Sequence, residues 1–299
     1  MKNFAIIGAG GYVAPRHMQA IKETGHNLIA ALDKHDSVGV LDNYFPNAHF
    51  FTEFVRFDRH LEKQKQLGNP AQYIVVCSPN HLHDAHIRFG LRLGCDVICE
   101  KPIVLNLWNI DALAAIEKET GHRVFTILQL RLHPAIQALK AKIDAAPATK
   151  KYNVNLQYIT ARGNWYHASW KGDIEKSGGI ATNIGVHFFD MLLWIFGDAK
   201  QNNVILHNSI SAAGELELEK ANVNWMLSIN ETDLPAATKA AGKNAWRTLT
   251  VDDEVLEFSD GFGGLHTRNY EEIIGGRGIS LVETKKVIEL VHDIRIAGK

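Results

Sequence analysis

The sequence is short of cysteine, of excess charge and of long apolar runs. Its three cysteines are few and odd in number, which argues against a disulfide framework and favours a reducing compartment. The net charge of -1 gives no electrostatic reason to expect nucleic acid or an anionic membrane as a partner. The strongest apolar run, residues 187–196, is about half of the ~20 residues that a membrane span needs. We therefore expect a cytoplasmic protein.

The order of apolar runs predicts two domains within the 299 residues. Up to residue 121, buried-type strands alternate with helical segments, which predicts an α/β Rossmann domain with a doubly wound parallel sheet. Residues 152–162 and 222–230 instead alternate apolar and polar side chains, as in an open, mainly antiparallel sheet. We expect an NAD-binding domain at 1–121 and an α+β domain for substrate binding and oligomerisation at 122–299. An apolar face left open on that sheet would favour a homo-dimer or homo-tetramer.

A glycine-rich turn follows the first strand and precedes a helical segment from Ala14. In the G-x-G-x-x-G pattern Gly8 and Gly10 occupy the first two glycine positions, while Val13 departs from the third. Such a turn brings the backbone and a helix amino terminus up to a pyrophosphate. Asp33, about 20 residues further on, stands where a carboxylate accepts hydrogen bonds from the adenosine ribose and favours NAD over NADP. The alternative is that Asp33 caps a turn with Asp36 and Ser37.

Two later strands also end in polar residues. Ser78-Pro79-Asn80 precedes His81, His83 and His86, whose spacing lacks the pattern of a zinc site, so no metal is expected and a place beside the nicotinamide-side ribose is favoured. The run Cys95–Cys99 ends in Glu100-Lys101-Pro102, where an open α/β sheet binds its ligands. A solvated lysine just past a strand is the alternative interpretation of Lys101.

Two segments of the second half carry candidate site residues. Residues 162–173 combine three aromatic side chains with cations, which suits sugar rings or bases and phosphates or carboxylates, although aromatics can equally hold a structural loop. Asn183, His187 and Asp190 recur at intervals of four and three on a largely apolar helix, so they share a stripe. Burying these three polar side chains without hydrogen-bond partners would cost several kcal/mol in total. A cleft shared with a cofactor would supply such partners. A hydrogen-bonded core histidine is the alternative.

These motifs together resemble the glucose-fructose oxidoreductase, inositol dehydrogenase and rhizopine-catabolism family of NAD(P)-dependent sugar oxidoreductases. The resemblance is carried by the glycine turn, by Ser78-Pro79-Asn80 with His83, by Glu100-Lys101-Pro102, and by the helix from Gly178-Gly179 to His187 and Asp190. Residues 129–134 and 162–173 are more closely similar to bacterial UDP-N-acetylglucosaminuronate 3-dehydrogenases. That similarity implies oxidation at sugar C3' during synthesis of 2,3-diacetamido-2,3-dideoxymannuronic acid for lipopolysaccharide O-antigen. It also implies that 2-oxoglutarate can regenerate NAD.

The resemblance implies roles for individual residues. His187 would be the general base, and Lys101 would hydrogen-bond the reacting oxygen. Asn183 would orient the substrate, and much of the wider family has Asp at this position. The expected cofactor contacts are Gly8, Gly10, Gly11, Tyr12, Val13, Asp33, Ser78, Asn80, His83, Glu100, Lys101 and Gln129. The expected substrate contacts are Lys101, Arg131, Arg162, Trp165, Tyr166, Lys171, Asn183 and His187.

Two other functions fit the same features less fully. The first is an NAD-dependent dehydrogenase of a free polyol or sugar acid, such as inositol. The second is a non-catalytic dinucleotide sensor that contacts a protein through its second domain. A sensor would have no use for Lys101 and His187, so an enzyme acting on a nucleotide sugar is favoured.

Overall fold

Twelve strands and twelve helices run through the part of the chain that the computed structural model describes, residues 1–256, 258 and 261–297. The strands are β1 (Asn3–Ile7), β2 (Asn27–Leu32), β3 (His49–Phe51), β4 (Tyr73–Val76), β5 (Asp96–Cys99), β6 (Val124–Thr126), β7 (Tyr152–Thr160), β8 (Ala199–His207), β9 (Ser211–Leu218), β10 (Ala221–Ser228), β11 (Ala245–Val251) and β12 (Glu254–Leu256). The helices are α1 (Ala14–Glu23), α2 (Leu41–Tyr44), α3 (Phe54–Gln66), α4 (His83–Leu93), α5 (Leu107–Thr120), α6 (Pro134–Ala145), α7 (Asn164–Ala168), α8 (Ile174–Ser177), α9 (Val186–Phe196), α10 (Ala236–Ala240), α11 (Leu265–Ile274) and α12 (Leu281–Ala297).

The chain forms two units, and their limits differ from the expected division at residue 121. The first unit contains Met1–Ile127 together with Gly264–Thr284, and the second contains Leu128–Gly263 and Lys285–Lys299. The return of 264–284 to the first unit has a physical cause, because Tyr270 and Ile273 of α11 are buried in the same apolar core as β1. A single cut in the sequence could not describe this arrangement.

The first unit is built on a six-stranded sheet in the order β3-β2-β1-β4-β5-β6, and all of its pairings are parallel. The central strands are apolar on both faces, and all four residues of β4 are buried. Parallel strands covered on both faces have this continuous apolar character. The strand order is that of a dinucleotide-binding Rossmann fold, which confirms the expected doubly wound sheet.

The second unit holds another six-stranded sheet, in the order β12-β11-β7-β10-β9-β8. Only β7 and β10 pair in parallel, and the other pairings are antiparallel. Buried and exposed residues alternate along β7 and β10, as predicted from their sequences. The buried face packs with α6 and α9 in one core. The expected α+β architecture with a mainly antiparallel sheet is therefore confirmed.

One helical stretch, 174–196, is long and apolar enough to pass as a membrane span on length and composition alone. Its best window is 83% buried inside the protein. A core helix passes the same test, so this stretch is weak support for a membrane segment.

Candidate active site

The turn after β1 requires glycine at its first position. Gly8 has a φ of +90°, and a Cβ added there would lie 2.6 Å from the carbonyl carbon of Cys77 at the end of β4. Any other residue would force these two strand ends apart. The turn continues through Gly10, Gly11 and the exposed Tyr12 to Val13, which directly precedes α1. The turn thus leads directly into a helix amino terminus, which is where a pyrophosphate binds.

Asp33 lies directly beside this turn. Its carboxylate accepts the backbone N–H of Gly10 at 2.9 Å and that of His35 at 3.0 Å. The hydrogen bond from Gly10 joins the end of β2 to the glycine turn. The hydrogen bond from His35 forms a local turn of the kind considered from the sequence. The structure therefore places the residue expected to select NAD next to the glycines expected to hold the pyrophosphate.

The residues after β4 support the neighbouring strand end. The ring of His83 is buried, with Nδ1 2.7 Å from the carbonyl oxygen of Pro102 and Nε2 2.8 Å from that of Ser78. Burial lowers the pKa of His83, against the opposite effect of these two backbone hydrogen bonds. His83 thus ties the turn after β4 to the turn after β5, and its contact with a cofactor stays a prediction. Asn80 is buried in the same turn.

Glu100 follows β5 and is enclosed by two histidines from distant parts of the first unit. Nε2 of His17 lies 2.9 Å from Glu100 Oε1, and Nε2 of His266 lies 3.2 Å from the same oxygen. Burial opposes ionisation of Glu100, but the hydrogen bonds from His17 and His266 outweigh it and hold its pKa well below the ordinary value. The adjacent Lys101 is half-buried at the carboxyl edge of the sheet.

The second unit brings together most of the aromatic and cationic residues expected to bind substrate. Arg162 lies just beyond the end of β7, and the short helix α7 carries Trp165 and Tyr166. Nζ of Lys171 lies 5.2 Å from the ring centre of Trp165 and 5.4 Å from that of Trp170. Burial and the charge of Arg162 lower the pKa of Lys171. This aromatic-cationic cluster suits a flat ring with an attached anion.

Asn183 joins the same cluster through Tyr166. Its Nδ2 donates to the Tyr166 hydroxyl at 2.8 Å, and both residues are buried. Asn183 lies in a π-helical turn, Ala181–Gly185, immediately before α9. Such turns often occur at functional sites, and this one alters the spacing between Asn183 and the half-buried His187. The regular helical spacing assumed for the expected stripe of three polar residues therefore does not hold in the turn before α9.

Asp190, the third member of that stripe, has a separate partner. The Arg131 guanidinium donates to both of its carboxylate oxygens, at 2.9 Å from Nε and 2.6 Å from Nη2. The Asp190 side chain is 2% exposed and the Arg131 side chain 12% exposed, so the pair is enclosed. Arg131 belongs to a short 3-10 turn, Gln129–Leu132, in which Gln129 is half-buried. This bidentate pair fixes the middle of α9 against that turn.

Sequence reasoning missed three residues around Glu100. They are His17 of α1 and His266 and Tyr270 of α11, and all three are buried. The signal available for His17 was its position on the apolar face of α1, between Ala14 and Met18. A histidine on such a face needs a buried partner, but the sequence alone does not indicate which one.

The fold and the strand-end residues define a class of protein, an NAD-binding oxidoreductase with a Rossmann unit and a second α/β unit. Residues 2–128 match the model of an oxidoreductase family described by its NAD-binding Rossmann fold. Residues 149–220 match the model of the C-terminal alpha/beta domain of the same family. The chain belongs to this glucose-fructose oxidoreductase, inositol dehydrogenase and rhizopine-catabolism family, and NAD is its cofactor.

Among solved structures, the chain is similar to the WlbA (WbpB) dehydrogenase of Thermus thermophilus. The two share 45% identity with a TM-score of 0.95, over 99% of this chain and 95% of that one. One structure of that protein is a complex with NAD and alpha-ketoglutarate, and another is a complex with NAD and UDP-GlcNAcA. The WlbA dehydrogenase of Bordetella pertussis, at 18% identity and a TM-score of 0.80 over 99% of this chain and 95% of that one, shares the fold.

Curated relatives of known activity are more distant. A glucose-6-phosphate 3-dehydrogenase of Bacillus subtilis is 25% identical over 205 residues, which are 66% of this chain and 54% of that protein. A myo-inositol 2-dehydrogenase of Thermotoga maritima is 26% identical over 183 residues, which are 54% of this chain and 53% of that protein. The chain thus spans about half the length of the curated relatives it matches.

Proposed function

We propose that this protein oxidises the C3' hydroxyl of UDP-N-acetylglucosaminuronic acid to a ketone, with NAD as the oxidant. The observation that carries the proposal is the 45% identity over 95% of the Thermus protein, whose structures hold NAD together with UDP-GlcNAcA or alpha-ketoglutarate. We place the reaction in the cytoplasm, in the synthesis of 2,3-diacetamido-2,3-dideoxymannuronic acid for lipopolysaccharide O-antigen.

The proposed roles follow from the chemistry of each side chain. When bound, NAD accepts the hydride that leaves C3'. His187 takes the proton of the C3' hydroxyl, because imidazole has an unperturbed pKa near 6.5 that suits a base at neutral pH. Lys101 donates a hydrogen bond to the same oxygen and stabilises its developing negative charge. Asn183 orients the substrate as a neutral group.

The aromatic-cationic cluster of the second unit is proposed to recognise the charged parts of the substrate. Arg162 and Lys171 supply positive charge for the uronate or the diphosphate, and Trp165 and Tyr166 supply flat faces for a sugar or a base. Arg131 is proposed to act by holding Asp190 on α9, since two of its nitrogens are engaged by that carboxylate.

The second half-reaction is proposed to use 2-oxoglutarate. Its keto group takes a hydride from NADH and a proton, which gives 2-hydroxyglutarate and restores NAD. The exposed positions of the central strands β7 and β10 are asparagines, so association of copies of the chain into a dimer or tetramer is proposed to use the edge strands, where Ile205 of β8 is 67% exposed and Val255 of β12 is 68% exposed.

The first test is to denature purified protein and assay the supernatant for NADH, then to add UDP-N-acetylglucosaminuronic acid and 2-oxoglutarate to native protein. We expect bound NADH and formation of both the 3-keto sugar and 2-hydroxyglutarate. Lys101→Met and His187→Asn should each lower kcat by roughly 10²- to 10⁴-fold while NAD remains bound. Unchanged rates in both variants would exclude the assigned roles.

A matched comparison separates this function from its alternatives. Turnover of myo-inositol or of the sugar acid without UDP, at rates equal to those with the nucleotide sugar, would support a free-polyol dehydrogenase instead. The similarity to a myo-inositol 2-dehydrogenase makes that comparison necessary. NAD binding without any substrate-dependent change in NADH absorbance would support a dinucleotide sensor.

A further inference from the structure

A closed hydrogen-bond network surrounds Glu100 in the first unit. Its members are His17, Glu100, His266 and Tyr270, whose residues are 0%, 9%, 6% and 0% exposed. They come from three separate elements, because His17 lies on α1, Glu100 follows β5, and the other two lie on α11. Residues 264–284 follow the long segment of the second unit in the sequence, and they thus supply part of the surroundings of Glu100.

The hydrogen-bond pattern assigns the protons in this network. Nδ1 of His17 lies 2.9 Å from the Tyr270 hydroxyl, which has a proton to donate. A neutral His17 therefore accepts from Tyr270 at Nδ1 and donates from Nε2 to Glu100. Burial lowers the pKa of His17, which agrees with the neutral form. His266 donates its own Nε2 proton to the same Glu100 oxygen.

The second oxygen of Glu100 reaches the residue expected to carry the chemistry. The backbone N–H of Lys101 donates to Glu100 Oε2 at 3.3 Å. One oxygen of the carboxylate is thus held by two histidines, and the other is directed to the peptide of Lys101. A carboxylate held in this way limits the rotation of the turn from which the lysine side chain extends.

We propose that His17 and His266 are positioning residues, which hold the Glu100 carboxylate by hydrogen bonds so that it fixes the Lys101 peptide at the reacting edge of the sheet. This inference rests on the proposed function, which makes Lys101 the donor to the reacting oxygen. It adds two residues to the site that none of the recognised motifs contains. It also gives α11 a role at the end of β5.

Two histidines and a carboxylate are also a ligand set for zinc, and the three ligand atoms lie within 4.8 Å of one another. The separations of 2.9 and 3.2 Å between each nitrogen and Glu100 Oε1 are those of direct hydrogen bonds. The ionised carboxylate between two N–H donors accounts for these contacts, so we assign the network to positioning and use metal analysis as part of the test.

The test compares variants that remove a donor with variants that retain one. His17→Leu and His266→Leu should lower kcat roughly 10- to 100-fold, because a displaced donor loses alignment with the reacting atom. Their NAD affinity should stay within about threefold, because the glycine turn and Asp33 are unchanged. His17→Gln and His266→Gln, whose amides can donate to Glu100, should recover most of the loss.

Thr284→Val is the matched control. It removes the buried hydrogen bonds of the Thr284 hydroxyl to Thr126 and to the carbonyl of Ser280 and leaves the Glu100 network intact, so it should lower the melting temperature and change kcat by less than about threefold. If Thr284→Val and the leucine variants lose kcat in the same proportion to their loss in melting temperature, the role is structural and the proposal is overturned. If His17→Leu does not fold, His266→Leu and His266→Gln decide.

A second measurement, the titration of Glu100, does not depend on enzymatic activity. The titratable and charged groups that face Glu100 are His17, His266, Tyr270, His83, Lys101, Cys77 and Cys99. Burial raises the pKa of both thiols well above the ordinary value, so they remain neutral. With glutamate labelled at the carboxyl carbon, and Glu100→Gln used for assignment, Glu100 should titrate at higher pH in His266→Leu than in the wild type.

An unchanged Glu100 titration in His266→Leu would overturn the proposal, as would stoichiometric zinc that survives chelation and is lost in the histidine variants. Failure of the proposed function appears separately, as a wild-type protein that does not oxidise the nucleotide sugar. The Glu100 titration remains readable in that case.

Discussion

Two charged regions of this protein differ in how their charges are satisfied. Around Glu100 in the first unit, a largely buried carboxylate, whose side chain is 12% exposed, accepts hydrogen bonds from two histidines. In the aromatic-cationic cluster of the second unit, Lys171 stands over two indole rings, and Arg162 adds a second positive charge nearby. The first arrangement is complete within the protein. The second gathers like charges, which only an anion would compensate.

The comparison predicts different consequences of substitution. An enclosed charge that loses its partner leaves another charge buried, so the effect should appear in the free energy of unfolding. An open cation that is removed leaves nothing buried and unpaired, so the effect should appear in ligand affinity. The following three experiments test that distinction, and the largest effect comes first.

Breaking the enclosed Arg131–Asp190 pair should have the largest effect on stability. Asp190→Asn leaves the buried guanidinium without a counter-charge, and we expect a loss of about 3 to 5 kcal/mol in the free energy of unfolding. Urea denaturation measures it. The control is Glu254→Gln in the exposed Lys142–Glu254 pair, whose side chains are 58% and 75% exposed, and its effect should be much smaller because solvent screens both charges. Equal losses in the two variants would remove the distinction between enclosed and exposed pairs.

Burial of histidines should make stability depend on pH, and the partly buried His86 gives the clearest case. Burial and the charges of His83 and His81 lower the pKa of His86 to about 4. The unfolded chain binds a proton near pH 6.5, whereas the folded chain resists it, so stability is retained above pH 6.5 and lost as the pH falls toward 4. The total loss should be about 3 kcal/mol.

His86→Asn should flatten this part of the stability curve, because Asn can keep a hydrogen bond with Ser78, whose Oγ lies 2.8 Å from His86 Nδ1. The exposed His35→Asn serves as the control and should leave the slope between pH 6.5 and 4 as in the wild type. Urea denaturation at several pH values measures both. A His86→Asn protein with the full wild-type slope would show that another group is responsible.

How far the sequence could predict this molecule depends on the distance between interacting residues. The parallel sheet, the glycine turn and the strand end at Glu100 were all predictable, because each depends on neighbouring residues. The partners of Glu100 were not, since His17 is 83 positions away and His266 is 166 positions away. Such contacts form only when the chain folds, and no local pattern encodes them.

The π-helical turn before α9 shows a second limit. Regular helical spacing would place Asn183, His187 and Asp190 on one face, but the π-helical turn changes the spacing before α9 begins. Asn183 then meets Tyr166, and Asp190 meets Arg131, which is 59 positions away. The strand β8 was also missed, because most of its residues are exposed and no apolar alternation marks it.

The smallest of the three effects concerns the open cluster and should appear in binding alone. Lys171→Met should weaken binding of the UDP-sugar about tenfold, which corresponds to about 1.4 kcal/mol, through loss of one charged contact. Its stability should be unchanged or slightly higher, because burial and Arg162 already disfavour the charged form of Lys171.

Lys176→Met is the control, because Lys176 lies in the following helix α8 and pairs with Asp173 at 3.1 Å. Calorimetric titration and urea denaturation of both variants would separate the two readouts. A Lys171→Met protein that binds normally but unfolds more easily would place Lys171 among the enclosed charges instead.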